Sequence, residues 1–276
     1  MTDPIRILSL GAGVQSTAVL LMMIHGEIPK ADHVIFADTG WEPAVVYKHL
    51  EKLEVIMAEN NMPFHKVSNG NIRKNALRVD GGRVAVLPVF MKNPDNTKGM
   101  LRRQCTSDYK IDPSMRKHRE IVGLKPKQRS NTHLATTIFG ISYDEIQRIK
   151  DPPYSWLKND YPLVDMKITR QMCLDWCAEH NYEVPPRSAC IGCPFKSDHE
   201  WRLLRDTMPD EWADAVEFDN QHREACKTRG KLTSIPFLHR SLVPLDKVDL
   251  QTLKEKGQFS LFDEGLDQEC EGMCGV

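Results

Sequence analysis

The sequence predicts an α/β chain with a doubly wound, mostly parallel sheet and a helical C-terminal extension, on three observations. A small-residue turn, Gly11-Ala12-Gly13-Val14-Gln15-Ser16-Thr17, sits between the apolar run Ile5 to Leu10 and the apolar-periodic stretch Ala18 to Ile24. A second apolar run, His33 to Ala37, ends in Asp38-Thr39-Gly40 and leads into a helical pattern from Pro43 to Asn60. Beyond Pro185 the pattern turns helical, over Asp198 to Met208 and Asp210 to Arg229. Strand, turn, helix and strand in this order form a βαβ crossover, which is right-handed almost without exception and binds ligands beyond the carboxyl ends of its strands.

The first turn has the chemistry of an anion site. Glycines let backbone approach a ligand closely, and the first N–H groups of the following helix, with the positive end of its dipole, suit a phosphate. In the second unit of the crossover Pro43 stands at a tolerated first-turn position, and Val46, Leu50, Leu53, Ile56 and Met57 recur at helical spacing. Further strands are expected at Phe64 to Val67, Val84 to Phe90, Leu134 to Gly140 and Tyr161 to Met166, with a basic helix from Asp112 to Val122 between them. The sheet should therefore hold five or more strands.

Composition narrows the class. The 276 residues are 41% hydrophobic and 27% charged, with 37 basic against 38 acidic side chains, which is the balance of an ordinary globular chain. Near-neutral charge argues against bulk electrostatic binding of nucleic acid. A local run from Lys110 to Arg129 nevertheless offers Lys110, Arg116, Lys117, His118, Arg119, Lys125, Lys127 and Arg129 for phosphate contacts. No apolar run is long enough for a membrane span, and Met1-Thr2-Asp3-Pro4 has no signal-peptide character, so a cytoplasmic location without membrane attachment is expected.

Eight cysteines without an export signal point to metal, redox or core roles rather than disulfides. Cys173 and Cys177 share one helix face with Met172 and Trp176 and read as core, as does Cys226. Cys190-Ile191-Gly192-Cys193 differs, because two thiolates at that spacing can hold one metal centre from one side.

Four segments together resemble the PP-loop adenine-nucleotide enzymes, and among them the phosphoadenylyl-sulfate (PAPS) and adenylyl-sulfate (APS) reductase group with its relatives. The Gly11 to Thr17 turn takes the place of that family's Ser-Gly-Gly-x-Asp-Ser loop, and Val34 to Glu42 is similar to its strand ending in Asp-Thr-Gly. Arg103-Gln104-Cys105-Thr106, with Lys110 and Pro113, has the spacing of the Arg-x-Cys-Cys-x-x-x-Lys-x-x-Pro segment. Gly140-Ile141 with Glu145 and Arg148 is similar to the Gly-Ile-Arg segment, and Tyr161 to Asp165 to the Pro-Leu-x-Asp-Trp strand.

The resemblance implies an adenine nucleotide alpha hydrolase-like fold: a PP-loop nucleotide-binding domain over residues 1–185 and a helical extension over 186–276 carrying the Cys-x-x-Cys turn and a cysteine-containing tail. It implies nucleotide binding by Gly11, Ala12, Gly13, Val14, Gln15, Ser16, Thr17, Asp38, Thr39, Gly40 and Gly140, and catalytic charge from Lys110, Arg103 and Arg148. Gln15 stands where many ATP-splitting members have Asp, which bears on magnesium coordination. In the cluster-bearing APS reductases a Cys-Cys pair and a later Cys-x-x-Cys hold a 4Fe-4S cluster. Here Cys105 matches the first of the pair, Thr106 replaces the second, and Cys190 and Cys193 match the later two. Cys270 or Cys274 would supply the fourth ligand, an open iron site being another arrangement and zinc the alternative metal.

The tail divides the functions that the resemblance implies. Glu269-Cys270 echoes the reductases' Glu-Cys-Gly-x-His, but no His follows and Cys274 does. The expectation is therefore an iron–sulfur ATP pyrophosphatase that adenylates an acceptor for sulfur transfer, as in DNA phosphorothioation. Its partners would be ATP with magnesium, a sulfur donor such as a cysteine desulfurase, and a DNA or RNA acceptor. The alternatives are a PAPS or APS reductase yielding sulfite and an inactive nucleotide-sensing protein.

Overall fold

A computed structural model describes residues 3–230 and 232–251. In chain order the elements are β1 (Ile5–Leu10), α1 (Val14–Ile24), β2 (His33–Asp38), α2 (Ala44–Glu59), β3 (Phe64–Ser68), α3 (Ile72–Ala76), β4 (Phe90–Lys92) and β5 (Lys98–Met100). There follow α4 (Asp112–Ile121), β6 (Ala135–Phe139), β7 (Leu157–Asp160), α5 (Pro162–Asp165), α6 (Arg170–Glu179), α7 (Asp198–Thr207), α8 (Pro209–Arg229) and β8 (Ile235–Phe237). Among the described residues, 3–69 and 106–188 form one compact unit, and 70–105 and 189–251 a second.

The first unit is an α/β layer structure. Its five strands lie in the order β3-β2-β1-β6-β7, and every pairing is parallel. The order reverses between β1 and β6, the switch point at which such sheets open a crevice at their carboxyl edge. Register aligns Leu10 with Phe36 and Ser9 with Phe139, so the ends of β1, β2 and β6 lie side by side there. Helix α1 is buried from Val14 to Met23 on all its faces, in a core shared with Val34, Leu50, Met57, Cys173 and Cys177. A helix apolar all round belongs between layers, and this one brings Gln15, Ser16 and Thr17 into the interior with it. Cys173 and Cys177 have no exposed surface, as core residues should, and burial raises the Cys177 thiol above its usual range.

Two strand expectations fail. Tyr161 to Met166 is a short helix, because Pro162 occupies a first-turn position where its fixed φ and missing N–H favour helix; the edge strand is instead the more polar Leu157–Asp160. Val84 to Val89 forms no strand, and pairing starts at Phe90.

In the second unit β4 pairs antiparallel with both β5 and β8. Helix α7 opens with a capping box in which Ser197 and Glu200 satisfy each other's backbone N–H groups. Helix α8 ends at Gly230, whose φ of 63° takes the left-handed turn that stops the helix. Buried Asp219 of α8 accepts the N–H groups of Leu238 and Leu245 and an ion pair from Arg223, which fixes the segment after β8.

Candidate nucleotide site

The loop after β1 is held by its own side chains. The Gly11 N–H donates to Ser16 Oγ at 3.1 Å, the Ser16 hydroxyl donates to Gly13 O at 3.4 Å, and the Thr17 N–H closes the first helical turn on Gly13 O at 3.0 Å. The left-handed residue of the loop is Ala12, with φ 56°, while Gly13 is extended. No side chain caps α1 and no acidic residue lies in its first turn, so the positive end of its dipole is not offset locally.

Gly140, one residue past β6, backs this loop. A Cβ there would lie 2.5 Å from the Ser16 N and 2.8 Å from the Gln15 carbonyl carbon, distances no side chain tolerates. The structure thus brings Gly140 against the loop as a spacer.

Gln15 is fully buried. Its amide N–H group donates to Glu145 Oε2 at 3.1 Å and Ser142 Oγ at 3.4 Å, and its Oε1 accepts from Arg170 Nη1 at 3.3 Å. Glu145 Oε2 also takes Arg148 at 2.6 Å. The Gln15 side chain is consequently spent within the protein, linking the loop to α6 and to the turn after β6.

At the end of β2, Asp38 accepts the Gly40 N–H at 2.7 Å and the Tyr47 hydroxyl at 2.8 Å, and pairs with Lys66 at 3.2 Å. Burial, followed by the contact with Asp38, holds the Tyr47 hydroxyl protonated well above its usual range. The φ of 71° at Gly40 is the left-handed conformation that favours glycine. Thr39 donates to Glu42 Oε1 at 3.1 Å, and Lys110 stands 3.9 Å from the same oxygen. Lys110 lies in a π-helical turn, Ser107–Ile111, and shares a small crevice with Ser9 and Phe139, near the ends of β1 and β6. Loop, Asp38, Lys110 and Gly140 therefore converge on one edge of the first unit.

Sequence reasoning passed over Tyr47, Lys66, Ser142 and Arg170. Tyr47 was within reach, since an amphipathic residue in the first turn of the helix after Asp38 faces back toward it. Arg170, 155 positions from Gln15, carries no local signal.

Arg103 and Cys105 belong to the second unit, where the Arg103 guanidinium lies over the Phe195 ring at 5.2 Å. This brings the 103–105 segment beside the Cys-x-x-Cys turn, in which the Cys193 N–H donates to Cys190 O and Lys196 Nζ to the same oxygen. Cys105, Cys190 and Cys193 are half-buried. Cys270 and Cys274 lie outside the described residues. Among the described residues no three His, Cys, Asp or Glu side chains gather as a metal site, so the three thiols have the chemistry of ligands to a soft metal or cluster but are not brought together as one set.

In the basic run His118 is a correction. It is 1% exposed, donates from Nδ1 to Ser114 O and accepts at Nε2 from Thr137, and burial pushes its pKa down to about 4. It is a neutral packing residue and makes no phosphate contact.

No protein-family model matches the chain, and no curated protein does. Among solved structures the chain is similar to phosphoadenylyl-sulfate (PAPS) reductase from Candida auris in its phosphate complex. The likeness has 14% identity and a TM-score of 0.42, over 66% of this chain and 75% of that one. Among the described residues no helix is long and apolar enough to cross a membrane.

Proposed function

We propose that the first unit binds an adenine nucleotide at the Gly11 to Thr17 loop and splits ATP at its α-phosphate, adenylating an acceptor for sulfur transfer. The observation that carries this reading is the loop itself, at the strand-order reversal, self-braced by Ser16 and ringed by Asp38, Lys110 and Gly140. In the proposed reaction an acceptor oxygen attacks the α-phosphorus, its bond to the bridging oxygen breaks, and pyrophosphate leaves with that electron pair. The terminal sulfur of a persulfide on a donor such as a cysteine desulfurase then attacks the adenylated centre of the acceptor, a DNA or RNA in this reading, AMP leaves with the electron pair of its bond, and a second thiol cleaves the S–S bond to the donor, forming a disulfide. Loop N–H groups hold the phosphates, Lys110 and Arg148 stabilise the charge that develops on pyrophosphate, and Asp38 orients the nucleoside.

A 4Fe-4S cluster belongs to the same proposal. Cys105, Cys190 and Cys193 would hold it, with Cys270 or Cys274 as fourth thiolate, and zinc is the alternative occupant. When bound, the cluster would supply electrons or a site for sulfide; the adenylation step needs neither.

One observation favours a second reading. Gln15 is neutral and fully engaged, so it offers magnesium no carboxylate, and a sulfonucleotide reductase, whose chemistry is at sulfur, would not need one there. Anaerobically purified protein, analysed for iron and sulfide and then given ATP, APS and PAPS in parallel, separates the readings. Pyrophosphate from ATP without sulfite supports adenylation. Sulfite in the presence of thioredoxin overturns it in favour of a reductase, and tight nucleotide binding without any product leaves a nucleotide sensor.

A further inference from the structure

At the opposite edge of the first unit's sheet, where β6 and β7 begin, there is a cavity of about 630 Å³. Five residues of extended strand, about 16 Å, separate that edge from the loop. Arg119, Lys127, Arg129, Tyr154, Ser155 and Trp156 are among the lining residues, and no acidic side chain is. In a chain whose basic and acidic residues nearly cancel, three cations on one cavity wall without a carboxylate are a local bias toward an anion.

The wall is built rather than loose. Arg119 lies over both Tyr154 and Trp156, at 5.2 and 5.3 Å from their centroids, and donates to Gln128 O at 2.9 Å, so one guanidinium ties the basic loop to an aromatic pair. Lys125 N–H donates to Gln128 Oε1, and the Ser155 hydroxyl donates to Ser130 O at 2.8 Å, bracing the loop from both sides. Lys127 adopts a left-handed φ of 63°, an uncommon conformation for a side chain with a Cβ. Lys127 and Arg129 are exposed, and Tyr154 is half-buried. Trp156 is 2% exposed, and its indole N–H has no acceptor among the described residues, although buried indoles usually find one.

From these features we infer that the cavity is a second anion site, which takes a nucleotide unit with its phosphate on Lys127 and Arg129 and its planar ring against Tyr154. Two sources share that chemistry, a free nucleotide and a nucleotide within a single strand. Cation and aromatic side by side are what both require. The inference is independent of the loop's reading, because the two sites lie at opposite ends of the same strands.

The test is equilibrium binding of AMP, a labelled single-stranded 12-mer and inorganic phosphate to the full chain, the binding that responds to changes in the cavity wall being assigned to the cavity. Wild type, Lys127→Ala with Arg129→Ala, and Tyr154→Ala are compared, and thermal melting confirms that each variant is folded. We expect the 12-mer to lose about tenfold in affinity in Tyr154→Ala. In the double variant the slope of log affinity against log salt should fall by about 1.4, for two phosphate contacts at about 0.7 each on a single strand. Phosphate binding should respond to the double variant and not to Tyr154→Ala. Binding of the 12-mer without AMP identifies a strand as occupant, and binding of both a free nucleotide. No binding by wild type, or equal binding by folded variants, overturns the site.

Discussion

Gly140 and Ser16 touch through bare backbone: a Cβ on Gly140 would stand 2.5 Å from the Ser16 amide nitrogen. The contact locks the end of β6 onto the first turn of α1, and with it the loop that brackets the candidate nucleotide site.

Gly140→Ala should therefore push α1 and β6 apart. Overpacking of this kind costs about 1–3 kcal/mol, and the displaced Ser16 would lose its bond from the Gly11 N–H. The expected outcome is a lower melting temperature together with at least tenfold weaker ATP binding by calorimetry. Wild-type affinity in a destabilised variant would confine Gly140 to packing.

The proposed function gives Lys110 a second role beside its ion pair with Glu42, and mutation can separate the two. Lys110 stands 3.9 Å from Glu42 Oε1, a carboxylate whose side chain is 1% exposed, and losing it removes a positive charge from beside that buried group. Lys110→Met should thus lower stability by up to about 3 kcal/mol and also lower kcat for nucleotide cleavage by about 10²–10³-fold, the usual cost of one charge-stabilising donor. Adding Glu42→Gln should restore the melting temperature and leave kcat low. Recovery of both would show that Lys110 acts only through Glu42.

Gln15 is expected to behave as a brace rather than a metal ligand. Gln15→Leu removes one acceptor of Arg170 and a donor to Glu145 at a fully buried position, costing about 1–3 kcal/mol by denaturant titration. Nucleotide binding titrated against magnesium should keep the wild-type midpoint. A shifted midpoint would place Oε1 on the metal.

How far the sequence could be read follows from where its signals are local. The strand, turn and helix around Gly11 to Thr17 were legible because a buried strand, glycines and an apolar helix follow one another within twenty residues. Tyr161 to Met166 misled because a short apolar run has no period that separates strand from helix, and there Pro162 decided. The excursion 70–105 into the second unit has no boundary signal, since its strands β4 and β5 are three residues each and β4 finds its other neighbour, β8, only more than 140 positions later. At the site, Asp38 and Lys110 were visible as motif positions, whereas Arg170 and Ser142 reach Gln15 only through tertiary folding.

Acid should destabilise the protein through its buried histidines. His118 and His222 are each pushed from the ordinary 6.5 down to about 4, by burial in both cases and at His222 also by Arg229 and Arg223. Between those pH values the unfolded chain binds a proton at each that the folded chain does not. The stability they allow is then complete above pH 6.5 and is lost as pH falls toward 4, about 3 kcal/mol for each histidine. Carboxylates contribute in the same direction, so the comparison must be with a variant. Urea unfolding of wild type and His118→Gln at pH 7, 5.5 and 4 isolates the one ring. His118→Gln begins less stable, because Thr137 and Ser114 lose a fitted partner, but its stability should fall less steeply with acid. Parallel slopes would mean that His118 takes up its proton as readily in the folded protein as in the unfolded chain, which would overturn the effect of its burial.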